Sequence, residues 1–155
     1  MFITRKYLAI LFLLLPAIAF AQNAAELDAM LKAETVSASS AARFVLGAAD
    51  LLESGLSGQE AEKAAYDIAS SNGWVMVSGD ESLTLKETAF LIMKAFKIKG
   101  GIMYSLFNNP RYAYREMIYR KLISGHMDGA MKVYGFRFLQ ILDKVISSVA
   151  ADEGL

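Results

Sequence analysis

Apolar residues recur at helical spacing along most of the chain. The clearest stretch is 83–96, where Leu85, Ala89, Ile92, Met93 and Phe96 fall at the i, i+4, i+7, i+8 and i+11 positions of one helix face. Phe90 and Leu91 widen that stripe, which predicts a helix buried on most sides. Thr84 with Glu87 three residues on predicts a capping box, the hydroxyl satisfying one orphan amide and the carboxylate another. Lys94 and Lys97 stand at the far end, where the helix dipole favours cations.

The same reasoning predicts further helices on both sides. Residues 23–34 form a first one, capped by Asn23, with a narrow stripe of Leu27, Met30 and Leu31 that suits either a docking arm or a frayed start. Residues 36–53 form a second, with Ser37 as cap and Phe44, Val45, Ala48, Leu51 and Leu52 inward. Ser57 and Glu60 predict another capping box, opening a helix to about Ser70 that Gly73 ends in the left-handed conformation. Gly100-Gly101 breaks the chain, and the apolar run 102–107 fits a helical turn or an extended packing loop equally. Asn109-Pro110 opens a helix to about Leu122, with Tyr114, Met117, Ile118 and Leu122 inward. The last helix spans about 134–150, with Phe138, Ile141, Leu142, Val145 and Val149 on one face, and 151–155 reads as a loose tail. No segment sustains a period of two, so the predicted fold class is all-α.

The pattern also repeats. Shifting the chain by 48 positions lays Ala65-Tyr66 on Ala113-Tyr114, Trp74-Val75 on Leu122-Ile123, Asp80 on Asp128, and Phe90-Leu91 on Phe138-Leu139. Shifting by 47 lays Val36-Ser37 on Leu83-Thr84 and Ala42 on Ala89. The unit is a helix, an apolar dipeptide, a Gly/Asp turn, an apolar-x-apolar step and a second helix. Such units cannot bury their faces singly and pack on one another. The expected architecture places the helices beginning near Val36, Leu83 and Val133 at the centre and those near Ser57 and Asn109 outside.

This unit resembles the S-layer homology repeat. Thr84-Leu85-Lys86-Glu87 followed by Ala89, Leu91 and Ala95 is similar to that family's helix, and 122–131, with Asp128-Gly129, to its loop. The resemblance covers roughly 36–146 and implies a non-catalytic domain, taken as 36–150, that holds a cell-envelope polymer. The family's ligand-binding arginine follows the motif threonine directly, and that position is Leu85 here.

Composition then bears on place and partner. Arg5 and Lys6, an apolar run 7–15, Pro16 and Ala19-Phe20-Ala21 make up a secretory signal, expected to be cut after Ala21. Residues 22–35 then form an N-terminal arm. The expected location is periplasmic or otherwise outside the cytoplasm, with no lipid anchor, because no cysteine follows the cut. With Arg5 and Lys6 removed from 16 bases against 16 acids, the rest is slightly acidic, which gives no case for nucleic acid or an anionic membrane surface. No later run is apolar for long enough to span a bilayer. The absence of cysteine removes disulfides, a thiol nucleophile and thiolate metal sites.

No catalytic pattern emerges. Paired carboxylates at catalytic spacing, a Ser-His-Asp order, a phosphate loop and zinc spacing are all missing, and His126 stands alone in a loop. No enzyme activity, metal or cofactor is expected. The polar concentration is basic and aromatic: Arg111, Arg115 and Arg120 with Tyr112 on one helix, Lys86 on another, and Trp74 as a stacking surface. Arginine forks suit carboxylate or phosphate, so these six residues are the candidate ligand site. Two functions follow: an exported module that binds an anionic envelope polymer such as peptidoglycan, or a structural subunit of an envelope assembly that binds protein and no polymer.

Overall fold

The computed structural model describes residues 24–125 and 128–153. The expected export signal, the capping Asn23, the lone His126 and the last two residues lie outside these. The described chain is all-helical: α1 (24–32), α2 (Ala38–Ala48), α3 (Gly58–Ser71), α4 (Leu85–Ala95), α5 (Ile102–Phe107), α6 (Pro110–Tyr119) and α7 (Gly135–Glu153). Among the described residues no helix is long and apolar enough to cross a membrane.

The helix starts follow local chemistry. Ser37 caps α2 by accepting the Ser40 amide, and Asn109 caps α6 by accepting that of Tyr112 ahead of Pro110. At α4 the capping box is complete: the Glu87 carboxylate accepts the Thr84 amide at 2.8 Å and its hydroxyl at 2.6 Å, and the Glu87 amide reaches back to the hydroxyl. Thr84→Ala is expected to cost about 1 kcal/mol in urea melts, with Thr84→Ser near wild type. At α3 the expected box does not form. Ser57 makes no capping bond, and the Gly58 amide is taken instead by the Glu26 carboxylate of α1.

Four helices end alike. Asp50, Gly73, Lys97 and Lys121 each adopt positive φ just past α2, α3, α4 and α6. The next residue, respectively Leu51, Trp74, Ile98 and Leu122, then donates its amide back to the carbonyl of Leu46, Ala69, Met93 or Met117. Each is a Schellman motif, and each folds an apolar side chain back on the body. Ala48, expected inward, is exposed because α2 stops there and its turn sends Leu51 and Leu52 inward.

The segments preceding α2, α4 and α7 meet in a hub. The Val36 amide donates to the Val133 carbonyl (2.9 Å), the Val133 amide to Leu83 (3.1 Å), and the Leu83 amide to Val36 (2.9 Å), a closed ring of three backbone bonds. From this hub each helix starts against a neighbouring loop. Ala38 and Ser39 donate to Glu81 and Gly79, Leu85 and Lys86 to Met131 and Gly129, and Gly135 to Ala33. First-turn amides that an isolated helix leaves without partners are thereby satisfied.

The backbone bonds of the hub do not follow a constant shift of 48. Val133 stands in the ring with Leu83, where a shift of 48 from Leu83 reaches Met131, because the loop from Ile123 to Gly129 is longer than that from Val75 to Gly79. Phe138 therefore occupies the step of α7 that Thr88, not Phe90, occupies in α4, and both are fully buried. Asp128 matches Ser78 rather than Asp80, since each accepts the amide that closes its turn.

The core runs through α2, α4 and α7. α4 buries Leu85, Thr88, Ala89, Phe90, Leu91, Ile92, Met93 and Ala95, as its wide stripe predicts. α7 adds Phe138, Ile141, Leu142 and Val145, and Phe138 meets Phe44 edge to face at 6.3 Å. α3 packs on α2, and α6 on α4. Other expectations fail at the edges. In α1 only Met30 is buried, while Leu27 and Leu31 are exposed, since that short helix touches the body along one line. Ile118 also faces outward, because α6 buries Ala113, Tyr114 and Met117 instead. The tail reading gives way too, for α7 continues to Glu153.

Candidate anion-binding groove

α6 presents two sides because its small and aromatic residues set its tilt. Ala113, Tyr114 and Met117 turn toward α4, which leaves Arg111 and Arg115, one turn apart, at the solvent edge. On α4 the buried Leu85 leaves Lys86 as the first side chain able to reach out. The amide of Lys86 is tied to Gly129, so the 128–130 turn lies beside both helices.

These elements enclose an open groove of about 320 Å³ lined by Lys86, Arg111, Arg115, Tyr114, Asp128 and Gly129. Tyr114 forms its wall, and Gly129 lies so close that a Cβ there would come within 3.0 Å of the ring. Burial pushes the Tyr114 phenol up; the Asp128 carboxylate adds to this and Arg137 opposes it. The phenol thus stays protonated at neutral pH. Among the described residues none of Lys86, Arg111 and Arg115 is in an ion pair. Three cations against one carboxylate give the groove a net positive lining. Two like-charged arginines one turn apart repel by a few tenths of a kcal/mol, about 0.2–0.5. An anion between them removes that cost, and their planar forks suit carboxylate or phosphate oxygens.

The other candidates lie apart. Tyr112 borders the groove: the Arg115 guanidinium lies over its ring at 6.0 Å, and the ring stacks on Phe107 at 5.1 Å. Arg120 is spent elsewhere, paired with Glu116 at 2.9 Å and bonded to the Lys99 carbonyl. Burial pushes the Glu116 carboxyl up, but the Gly101 amide and the Arg120 bond and charge outweigh it and hold it below its usual range. Trp74 is the folded-back residue of the α3 terminus, half-buried against the core, and lies outside the groove. Sequence reasoning missed Asp128 and Gly129 as lining residues and placed Tyr114 only as core. A signal was present in Gly129, a glycine with no positive φ of its own, whose reason is the close approach of a ring.

Among the described residues no group of three or more His, Cys, Asp or Glu is placed to hold a metal ion. No protein-family model matches the chain, and no curated protein or solved structure is significantly similar to it.

Proposed function

We propose that this chain is a non-catalytic, exported module that holds an anionic cell-envelope polymer, peptidoglycan being the first choice, in the groove between α4 and α6. The observation that carries this reading is the convergence of Lys86, Arg111 and Arg115, none of them in an ion pair among the described residues, on one groove walled by Tyr114. A repeated architecture accompanies it: α1 with α2, α3 with α4, and α6 with α7, the second helix of each pair inside and the first outside. The hub ring and the shared helix endings support that description, and the S-layer homology resemblance gives it a class. At the position of that family's arginine stands the fully buried Leu85, with Lys86 supplying the cation one residue later.

Purified cell-wall sacculi provide the test. The chain beginning at Gln22 is expected to be retained at low salt and released as salt rises, since exposed charges are screened over about 10 Å at 0.1 M. Replacing Lys86, Arg111 and Arg115 together by alanine should abolish retention, whereas Arg120→Ala should not. Retention without salt dependence, or equal retention by the triple variant, would overturn the polymer reading. The burial of Leu85 favours the second reading, a structural subunit with a protein neighbour. That neighbour would emerge from crosslinking in intact cells.

A further inference from the structure

The turn between α4 and α6 carries an apolar surface that the fold uses only at Phe107, which stacks on Tyr112. In α5, Ile102 is 85% and Leu106 71% exposed, and Met103 and Phe107 are each half exposed. These four lie on one side of a six-residue helix, and Tyr104 on the other side is the α5 residue that is buried. A contiguous exposed patch of large apolar side chains marks a contact surface.

The turn is held in place rather than left to hang. The Glu116 carboxylate accepts the Gly101 amide at 2.9 Å, and Arg120 bonds the Lys99 carbonyl just before it. Gly100 admits the Tyr104 side chain where a Cβ would collide with it at 2.4 Å. On the far side Phe107 stacks on Tyr112, which in turn carries Arg115. Four apolar side chains are thus presented outward on a supported platform.

Charge decides what they meet. The chain as a whole balances 16 bases with 16 acids, but residues 94–121 contain Lys94, Lys97, Lys99, Arg111, Arg115, Arg120 and Lys121 against Glu116 alone. Arg120 pairs with Glu116, and Lys94 lies over the Phe90 ring. Lys97, Lys99, Arg111, Arg115 and Lys121 remain, exposed and in no ion pair among the described residues. The overall balance near neutrality hides this basic stretch, whose cations outnumber the acids beside them, Asp50 and Asp152 lining clefts with Lys97. Pairing with a second copy would set these cations against their own counterparts, which costs free energy. An apolar turn with Lys97 and Lys99 just before it in the chain and Arg111 just after it, with Tyr119 also well exposed, has the composition of an interfacial membrane contact: apolar side chains enter the headgroup boundary and lysines stay with lipid phosphates.

We propose that the α5 turn is a membrane-surface anchor, placing Ile102, Met103, Leu106 and Phe107 in the interface of a bilayer leaflet that carries anionic lipid. At six residues α5 is about 9 Å long, too short to span a membrane, so the contact is peripheral and reversible. Arg111 and Arg115 also line the groove, so the two readings are told apart through Lys86, which lines the groove, and through Lys97, Lys99, Ile102 and Leu106, which do not.

The test is co-sedimentation of the chain from Gln22 with sucrose-loaded vesicles of phosphatidylcholine, with and without phosphatidylglycerol. Sedimentation is expected with the anionic vesicles only, weakening as salt rises. Ile102→Ser with Leu106→Ser should reduce it about tenfold or more, as should Lys97→Gln with Lys99→Gln. Both are surface changes and should leave the urea melt unaltered. Lys86→Ala should keep vesicle binding while impairing sacculus retention; Ile102→Ser with Leu106→Ser should do the opposite. In a Phe107→Trp variant, anionic vesicles should shift the new emission to the blue. Absence of that shift, binding indifferent to the apolar substitutions, or self-association abolished by those substitutions would each overturn the anchor.

Discussion

Phe138→Ala is expected to lower the stability of the chain by about 3–5 kcal/mol, through lost apolar burial plus the cavity left behind. Phe138 is fully buried, sits one turn from the hub, and meets Phe44 edge to face, so its removal leaves a hole at the junction of α7 and α2. Helices held at one end by backbone bonds to neighbouring loops are poorly placed to collapse into that space, which puts the cost at the upper part of the range. A loss of this size is a large share of the roughly 5–15 kcal/mol that stabilises an ordinary domain. Arg111→Ala, which removes an exposed cation in no ion pair among the described residues, should cost about half a kcal/mol or less. Urea melts of the two variants settle the comparison. If Phe138→Ala melts like wild type while Arg111→Ala collapses, inside and outside have been exchanged.

Gly135→Ala is expected to be nearly as damaging for a different reason. A Cβ on Gly135 would stand 1.5 Å from the Met30 carbonyl oxygen, and that atom belongs to backbone and cannot rotate aside. The Gly135 amide also donates to the Ala33 carbonyl at 2.8 Å, the bond by which α7 closes onto the end of α1. Overpacking relieved only by backbone movement costs about 1–3 kcal/mol, and loss of the bond about 1 more. The chain should yield by releasing α1 from the hub. Trypsin should then cut after Lys32 at a denaturant concentration at which the wild type resists. An unchanged melt together with a protected Lys32 would show that α1 does not cross Gly135.

What the sequence reveals here is what local chemistry decides. Thr84 with Glu87, Ser37, and Asn109 with Pro110 announce their helices, because a cap involves residues three or fewer apart. Gly73 announces the end of α3, and Asp50 is of a type that tolerates positive φ, but Lys97 and Lys121 have no special liking for it, so only their apolar followers hint at the turn. The buried stripe of α4 is legible because its apolar residues span most of the helix. α5 is not: the apolar run 102–107 fits a helical turn or a packing loop equally, and only the burial of Tyr104 and the Glu116 bond to Gly101 show which side faces out. Of the candidate site, Arg111 and Arg115 could be paired from their helical spacing. That Lys86 joins them, and that Arg120 and Trp74 do not, depends on α4 packing on α6 and on the Glu116 and Lys99 partners of Arg120. Two extra loop residues before Gly129 were enough to mislead the alignment of Phe138, since a shift along a helix changes which side chain looks inward.

A ring of three bonds cannot be assembled in halves. Once Leu83 has bonded to Val36, the Val36 amide and the Leu83 carbonyl still face water until Val133 arrives from the far end of the chain. Single helices form within about a microsecond, but bringing such distant segments together is a slower search, so closure rather than helix formation sets the pace of folding. An open array of helical units frays from its ends, because its terminal members have one neighbour each. Here Gly135 at the start of α7 is bonded to Ala33 just after α1, so the last described helix is tied to the first. Loss of any one link exposes partners on both sides of the gap, so the hub gives way as a whole.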